Sequence, residues 1–263
     1  MLMEKPSDSS TFKQLVAEGA SVPVAGWNFS WFEGRATEER PSWGYSKLMA
    51  ERMAQAAAAL DIQTGGGEVL SEIPQAPAVL MATESWAPNC EIARRNLQPL
   101  GASVVEVDDD ADLPFPNDSF DLVVSRHPTV TLWDEISRVL RPGGTYFSQQ
   151  VGPGSVRELT DFVMGAQPVR EARSPQRAVA AAEAAGLVVG DLREESLRME
   201  FYDVGAVVHF LRKVPWTIPN FTVKRYRRRL RDLHDHIQKS GPFEAHAERF
   251  LIEAHKPIRA EFP

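Results

Sequence analysis

One cysteine, Cys90, is all the chain possesses, which rules out an internal disulfide and any zinc site built on thiolates. Long apolar runs are missing too. None approaches the roughly 20 residues that a membrane-spanning helix needs, and the opening stretch MLMEKPSDSSTFKQ lacks the apolar centre of a secretory signal. A cytoplasmic protein without membrane attachment is the expectation. Positive charge is in deficit, with a formal net charge of −7, which weighs against a nucleic-acid partner. The six histidines have neither cysteine partners nor a tight acidic cluster beside them, so no metal is expected.

What is present is ordinary globular composition, 43% hydrophobic and 25% charged over 263 residues, enough for one large domain with an added cap. Residues 1 to about 42 stand apart from the rest. They lead through Trp27 and Trp31 to Trp43, among prolines, glycines and charges; these large apolar side chains either pin an irregular arm or form a lid. From residue 57 the pattern alternates. Strands are expected over 78–82, 103–107, 120–124 and 145–151, and helices over 89–100, 132–140 and 174–185. Helices follow over 201–212 and 222–239, and a last strand over 249–254. Short apolar strands spaced by helices mean a parallel sheet covered on both faces, hence a doubly wound α/β fold.

The sheet is organised around Leu60-Asp61-Ile62-Gln63-Thr64-Gly65-Gly66-Gly67-Glu68. An apolar strand runs through an acid into consecutive glycines, and a helix-like segment (69–73) is expected next, its N-terminus aimed at a ligand. In open α/β sheets ligands sit beyond the carboxyl ends of the strands. Here those ends carry Asp61, then Glu84, then Asp108-Asp109-Asp110, then Ser125-Arg126-His127. Glu84 stands 23 residues after Asp61, a spacing suited to holding ribose hydroxyls. No Lys-Ser or Lys-Thr follows the glycines, so this is not a P-loop, and the pattern is not Gly-x-Gly-x-x-Gly. Asp61 would repel a pyrophosphate and suit a cation such as S-adenosylmethionine.

On these residues the chain resembles the class I S-adenosylmethionine-dependent methyltransferases. Asp61-Ile62-Gln63-Thr64-Gly65-Gly66-Gly67 is similar to their first motif, Asp-x-Gly-x-Gly-x-Gly, and Glu84 to their ribose-binding acid, with Ser85 and Trp86 beside the adenine. Asp109 and Asp110 resemble the third-strand acid; Leu140-Arg141-Pro142-Gly143-Gly144 resembles the turn before strand five. The resemblance implies a mostly parallel seven-stranded sheet with an antiparallel last strand, plus an N-terminal arm and a helical cap. It divides the chain into arm and cap helices (1–56), a Rossmann-like cofactor-binding core (57–196), a helical cap insertion (197–245), and last strand with tail (246–263). The implied cofactor is S-adenosyl-L-methionine, bound by Asp61, Gln63, Thr64, Gly65, Gly67, Glu84, Ser85, Asp109, Asp110 and Ser125.

Gln63 departs from the motif, standing where the family has its first glycine. Either its amide serves the cofactor or points away, or the chain is a degenerate methyltransferase-like binding module. His127 is the candidate catalytic base, or else it shapes the pocket. The expected reaction is methyl transfer to a small acceptor, apolar or aromatic to suit Phe201, Tyr202, Phe210, Trp216 and Phe221 of the cap. An RNA methyltransferase is the alternative, because Lys224, Arg225, Arg227, Arg228, Arg229 and Arg231 crowd one helix. Tyr226, Leu230, Leu233 and Ile237 recur at helical spacing and mark that helix's core face. His234, His236 and His246 are expected on solvated surface.

Overall fold

The computed structural model describes residues 8–169 and 171–258. The start of the stretch read for a signal and the end of the expected C-terminal tail lie outside the described residues. In chain order the elements are α1 (Asp8–Ser21), β1 (Ala36–Glu38), α2 (Tyr45–Met53), β2 (Ala58–Ile62), β3 (Val79–Glu84), α3 (Ala87–Leu97), β4 (Ser103–Glu106) and β5 (Phe120–Arg126). Then come α4 (Trp133–Val139), β6 (Leu140–Val151), α5 (Arg157–Met164), α6 (Pro175–Ala184), β7 (Val188–Phe201), α7 (Val204–Lys213), α8 (Val223–Ser240) and β8 (Phe243–His255).

The sheet has eight strands in the order β1-β7-β8-β6-β5-β2-β3-β4. Strands β4, β3, β2, β5 and β6 are mutually parallel, while β8 runs antiparallel to β6 and β1 antiparallel to β7. The α/β architecture agrees with expectation; the count of seven does not. The eighth strand is β1, three residues of the N-terminal region paired to β7, too short and too polar to announce itself by alternation.

Two compact units are distinguishable. One comprises residues 40–153, 170–195 and 248–263, the other 1–39, 154–169 and 196–247. In the first, successive residues of β5 feed opposite faces: Leu122 and Val124 pack with Tyr45, Met49, Leu97 and Phe147, whereas Val123 packs with Leu60, Ile136 and Tyr146. All five residues of β2 are buried, as a central parallel strand requires. Truncating Leu60 to Ala would cost about 2–5 kcal/mol. In this unit the chain steps outward from β2 to β3 and β4, then jumps to β5 on the other flank of β2. The reversal of strand order therefore falls between β2 and β5, where such folds open a crevice.

The second unit is built on helices whose starts are encoded locally. Asp203 caps α7 by accepting from the Ala206 N–H at 2.9 Å, and Thr222 caps α8 through the Arg225 N–H at 3.2 Å. Tyr226, Leu230, Leu233 and Ile237 are buried, as their spacing foretells. His234 corrects the reading of a solvated side chain: it is fully buried, its ring 5.6 Å from that of Phe12, because it too lies on the inward stripe. Phe201 ends a 14-residue strand rather than starting a helix. The helix α5 was not anticipated.

The segment after the glycines also departs from expectation. Leu70–Glu72 forms a single 3-10 turn, and no α-helix starts there. Pro74 explains it: Ile73 is driven to extended backbone (φ −66°, ψ 133°) by the proline that follows. The turn thus lacks the dipole of a helix behind it, and recognition there rests on side chains and individual N–H groups.

Candidate functional site

Asp61 is the fourth residue of β2 and pairs in register with Ala82 of β3 and Val124 of β5. Its side chain is buried. Burial raises its pKa from the usual carboxylate range to about 7; the nearby Thr64 hydroxyl works against the rise, and the charge of Glu84 adds to it. The Thr64 Oγ1 is itself buried with no hydrogen-bond partner among the described residues. Two carboxylates and a buried hydroxyl thus converge at the ends of adjacent strands.

Glu84 is already at work. One carboxylate oxygen accepts the Gly65 N–H at 2.8 Å and the other accepts the Trp86 N–H at 3.0 Å. Burial raises its pKa, and these two donors oppose the rise. The Thr64 N–H donates to the Thr83 carbonyl at 2.9 Å, so the glycine turn is stitched along its length to the end of β3. Gly67 has φ +74°, and a Cβ there would lie 2.8 Å from Leu97 Cγ, so glycine is required twice over. A carboxylate offers about four acceptor positions, which leaves Glu84 capacity for two further donors.

Gln63 adopts φ +57°, the left-handed conformation that a glycine would take without strain. Its amide crosses the point where strand order reverses. The Nε2 group donates to the Val130 carbonyl at 2.8 Å, and Oε1 accepts from the Thr129 N–H at 2.6 Å. The Thr129 hydroxyl in turn donates to Asp109. This network links the ends of β2, β4 and β5. It borders a small cleft, open to solvent and lined by Ile62, Gln63, Thr83, Asp108, Asp109 and Ser125 among others.

Of the other expected residues, Ser125 lines the cleft but its hydroxyl is engaged within the sheet, 2.8 Å from Tyr146 Oη and 2.9 Å from Ser148 Oγ. Ser85 is half-buried beside Glu84, and Trp86 is 45% exposed. Asp110 is exposed and does not line the cleft; Asp108, named with it at the strand end but not among the expected cofactor-binding residues, does. Thr129 and Val130 were likewise missed, and only the knowledge that β2 and β5 are neighbours could have found them.

His127 stands just past β5, again in the left-handed region at φ +56°. Its backbone N–H donates to the Gln149 carbonyl at 2.7 Å, and its Nε2 lies 2.8 Å from Gln149 Nε2. The proton inventory fixes the direction of that second contact. The indole N–H of Trp43 can only donate, and it does so to Gln149 Oε1 at 2.8 Å. Gln149 must therefore present its NH₂ to His127, whose Nε2 accepts and whose proton sits on Nδ1. Burial first, then the charges of Arg126, Arg249 and Arg173, hold the imidazole well below its usual pKa. It is neutral, with its one ring lone pair occupied.

In the other unit, His209 lies between Trp31 and Phe32, each ring centroid 5.0 Å away, and burial with nearby Lys213 and Arg212 lowers its pKa to about 4. The buried Lys213 ammonium donates to the Gly26 carbonyl at 2.8 Å and lies 5.2 Å from the Phe29 ring. The exposed side of α8 carries Lys224, Arg225, Arg227, Arg228 and Arg229. No group of His, Cys, Asp and Glu suited to a metal occurs among the described residues.

An eight-stranded, mostly parallel sheet with acids and glycines at its central strand ends defines a Rossmann-like fold. Residues 60–148 match the family model described as a methyltransferase domain. Among solved structures, a provisionally assigned methyltransferase from Bacillus halodurans C-125 is similar at 18% identity and a TM-score of 0.59, covering 82% of this chain and all (100%) of that one. A provisionally assigned sarcosine dimethylglycine methyltransferase from Galdieria sulphuraria is similar at 13% identity and TM-score 0.51, over 94% of this chain and 98% of that one. The [4+2]-cyclase SpnF is similar at 18% identity and TM-score 0.51, over 95% and 93% of the two chains. At these identities the likeness is one of fold. No curated protein matches the chain.

Proposed function

We propose that the protein is an S-adenosylmethionine-dependent methyltransferase acting on a small organic acceptor. The observation that carries this reading is the pair Asp61 and Glu84, buried carboxylates at adjacent strand ends around a glycine turn. When bound, the cofactor supplies an electrophilic methyl on a sulfonium. Glu84 is assigned to the ribose hydroxyls, through acceptor positions left beside the Gly65 and Trp86 N–H groups. Asp61 and the Thr64 hydroxyl are assigned to the cationic methionine end, where a positive charge would draw the Asp61 proton off. Asp109 and Ser85 border the adenosine, with Asp110 further out. The partition into arm, core, cap insertion and last strand is part of the same proposal, as is a location in the cytoplasm; no helix of the described residues is long and apolar enough to cross a membrane.

The chemistry asked of the chain is positioning and exclusion of water rather than strong base catalysis. The chain's own part would be to hold the acceptor in line with the methyl group and to keep water out, so that the methyl could pass to the acceptor's electron pair with a neutral thioether left behind. Glu84→Ala should weaken S-adenosylmethionine binding roughly 10–100-fold, since charge-assisted hydrogen bonds are lost. Calorimetry on the intact protein checks this, and equal affinity in both proteins would refute the assignment.

A second reading has its own observation. The Gln63 amide is committed to Thr129 and Val130 across the crevice, which favours a degenerate binding module if that strap stays shut. The same fold supports other chemistry, as a cyclase among the similar structures illustrates. Conversion of S-adenosylmethionine to S-adenosylhomocysteine with any acceptor would exclude this second reading. The RNA alternative rests on the cations of α8 and calls for a steep salt dependence of RNA retention.

A further inference from the structure

Helix α8 carries charged side chains that methyl transfer to a small acceptor leaves without a role. Its N-terminal stretch holds Lys224, Arg225, Arg227, Arg228 and Arg229, five cations in six positions, and all five are exposed. The remaining position is Tyr226, buried and stacked on Phe221 with ring centroids 5.8 Å apart. Leu230, Leu233 and Ile237 follow it into the core of the unit, so one face holds the helix and the other carries the charge.

Nothing among the described residues balances these charges. Lys224, Arg225, Arg227 and Arg228 make no ion pair with a described residue, and Arg229 has only Asp232, at 4.0 Å. Carboxylates on neighbouring helices are engaged elsewhere: Glu158 with His246, Asp161 with Arg157 and Glu18 with Arg35. Arg225 and Arg227 lie near rings, 5.4 Å from Tyr226 and 5.6 Å from Phe12, contacts that leave their N–H donors unspent. Placement adds to the cost. The first turn of α8 contains no acid, and Lys224 and Arg225 stand there at the positive end of the helix dipole. The stretch rises roughly 8 Å, about one screening length at physiological salt, so its charges repel one another. The chain as a whole is acidic, with a formal net charge of −7, so composition does not account for this concentration. A partner that relieves both penalties carries dense negative charge.

Three features select among polyanions. Guanidinium forks, which dominate this stretch, match phosphate oxygens. The apolar side chains of α8 are buried, and none of the exposed large apolar residues lies on it, so the helix has nothing to insert into a bilayer. Tyr226, the aromatic residue among the cations, is turned inward and offers no platform on which unpaired bases could stack. Duplex DNA presents one charge per about 1.7 Å of its axis, so roughly five phosphates lie along the length that these cations cover. We propose that Lys224, Arg225, Arg227, Arg228 and Arg229 form a docking surface for the phosphate backbone of duplex DNA. Docking does not rest on the methyltransferase reading, and the methyl acceptor is a separate question.

The test is fluorescence anisotropy of a labelled, mixed-sequence DNA duplex titrated with the full-length protein between about 50 and about 200 mM salt. On logarithmic axes the binding constant should fall with salt at a slope of about −4.5, from about −0.9 for each of the contacts. Arg225→Gln combined with Arg228→Gln should flatten that slope by about 1.8 and weaken binding about tenfold or more at the lower salt. Arg225→Lys combined with Arg228→Lys should keep the slope, because the charge stays. Arg94→Gln combined with Arg95→Gln, at exposed positions of α3, changes the net charge equally and should bind like the parent. Circular dichroism verifies that each variant is folded. The proposal is overturned if the duplex is not bound, if the α3 variant weakens binding as much as the α8 glutamine variant, or if the lysine variant flattens the slope as glutamine does. Tighter binding of a single-stranded RNA of the same sequence, or of vesicles containing phosphatidylserine, overturns the choice of duplex DNA as partner.

Discussion

Two stretches of the same sheet edge treat charge in opposite ways. At the ends of β2 and β3 a pair of carboxylates, Asp61 and Glu84, is buried among backbone N–H groups. Just past β5, burial and then the charges of Arg126, Arg249 and Arg173 keep His127 neutral. The first orders the glycine turn through the two N–H groups that Glu84 accepts; the second keeps an imidazole neutral. The difference also shows which groups act as acceptors. Glu84 spends lone pairs on its own turn, whereas His127 gives up its only ring lone pair.

The sharpest way to break the comparison is to neutralise its acidic end. Asp61 has a folded pKa of about 7, raised above that of the unfolded chain, so the fold disfavours its ionised form. Stability is therefore highest below the unfolded value near pH 4, falls as pH rises toward 7, and levels off above. Over that window the loss is about 4 kcal/mol as an upper bound, from the linkage of pKa shift to free energy. Asp61→Asn should remove this slope. Urea unfolding at about pH 5 and about pH 8 would show parent and variant converging in acid and the variant ahead in base; parallel curves would mean that Asp61 is not buried as a charge.

A smaller effect is expected at the basic end. Gln149→Leu leaves the Trp43 indole N–H without its acceptor and frees His127 Nε2, at a cost of roughly 1–3 kcal/mol for the buried donor. The pKa of His127 should rise toward the ordinary imidazole value, read from an NMR pH titration, because its lone pair no longer serves the amide. An unmoved pKa would assign the depression to burial and the arginines alone.

The smallest net effect belongs to the residue that joins the two ends. Gln63→Gly removes left-handed strain worth about 1–2 kcal/mol and gives up hydrogen bonds of similar worth, so the unfolding midpoint should barely change. Cofactor affinity should rise, since the strap to Thr129 and Val130 is gone. Weakened binding would mean instead that the Gln63 amide itself serves the cofactor.

The sequence carried the strand ends well. Asp61, Glu84, Asp109 and His127 follow short apolar runs, and burial on both faces makes such runs legible. Helix α8 was readable for the same reason, in its 3.6-residue spacing. What lay outside local pattern was lost. Pro74 cancels the helix after the glycines, though the dipeptide Ile73-Pro74 could have warned of it. Gln63 looked like a defect in a motif, and only the adjacency of β2 and β5 reveals a cross-link. The groups that act on His127 come from β5, β6, β8 and the turn before α6, four places spread over 124 residues, Arg126 to Arg249, that no window brings together. His234 was a missed opportunity, since its spacing from Leu230 and Ile237 already placed it inward.

The most direct test of the central claim is calorimetric titration of the intact protein with S-adenosylmethionine at about pH 6 and about pH 8, with Asp61→Asn alongside. A cation that binds beside Asp61 must displace its proton. Affinity should therefore be in the micromolar range and tighten roughly tenfold between the two pH values, with the variant flat by comparison. No binding at either pH, or the same pH dependence in parent and variant, would contradict the assignment of this carboxylate end to the cofactor.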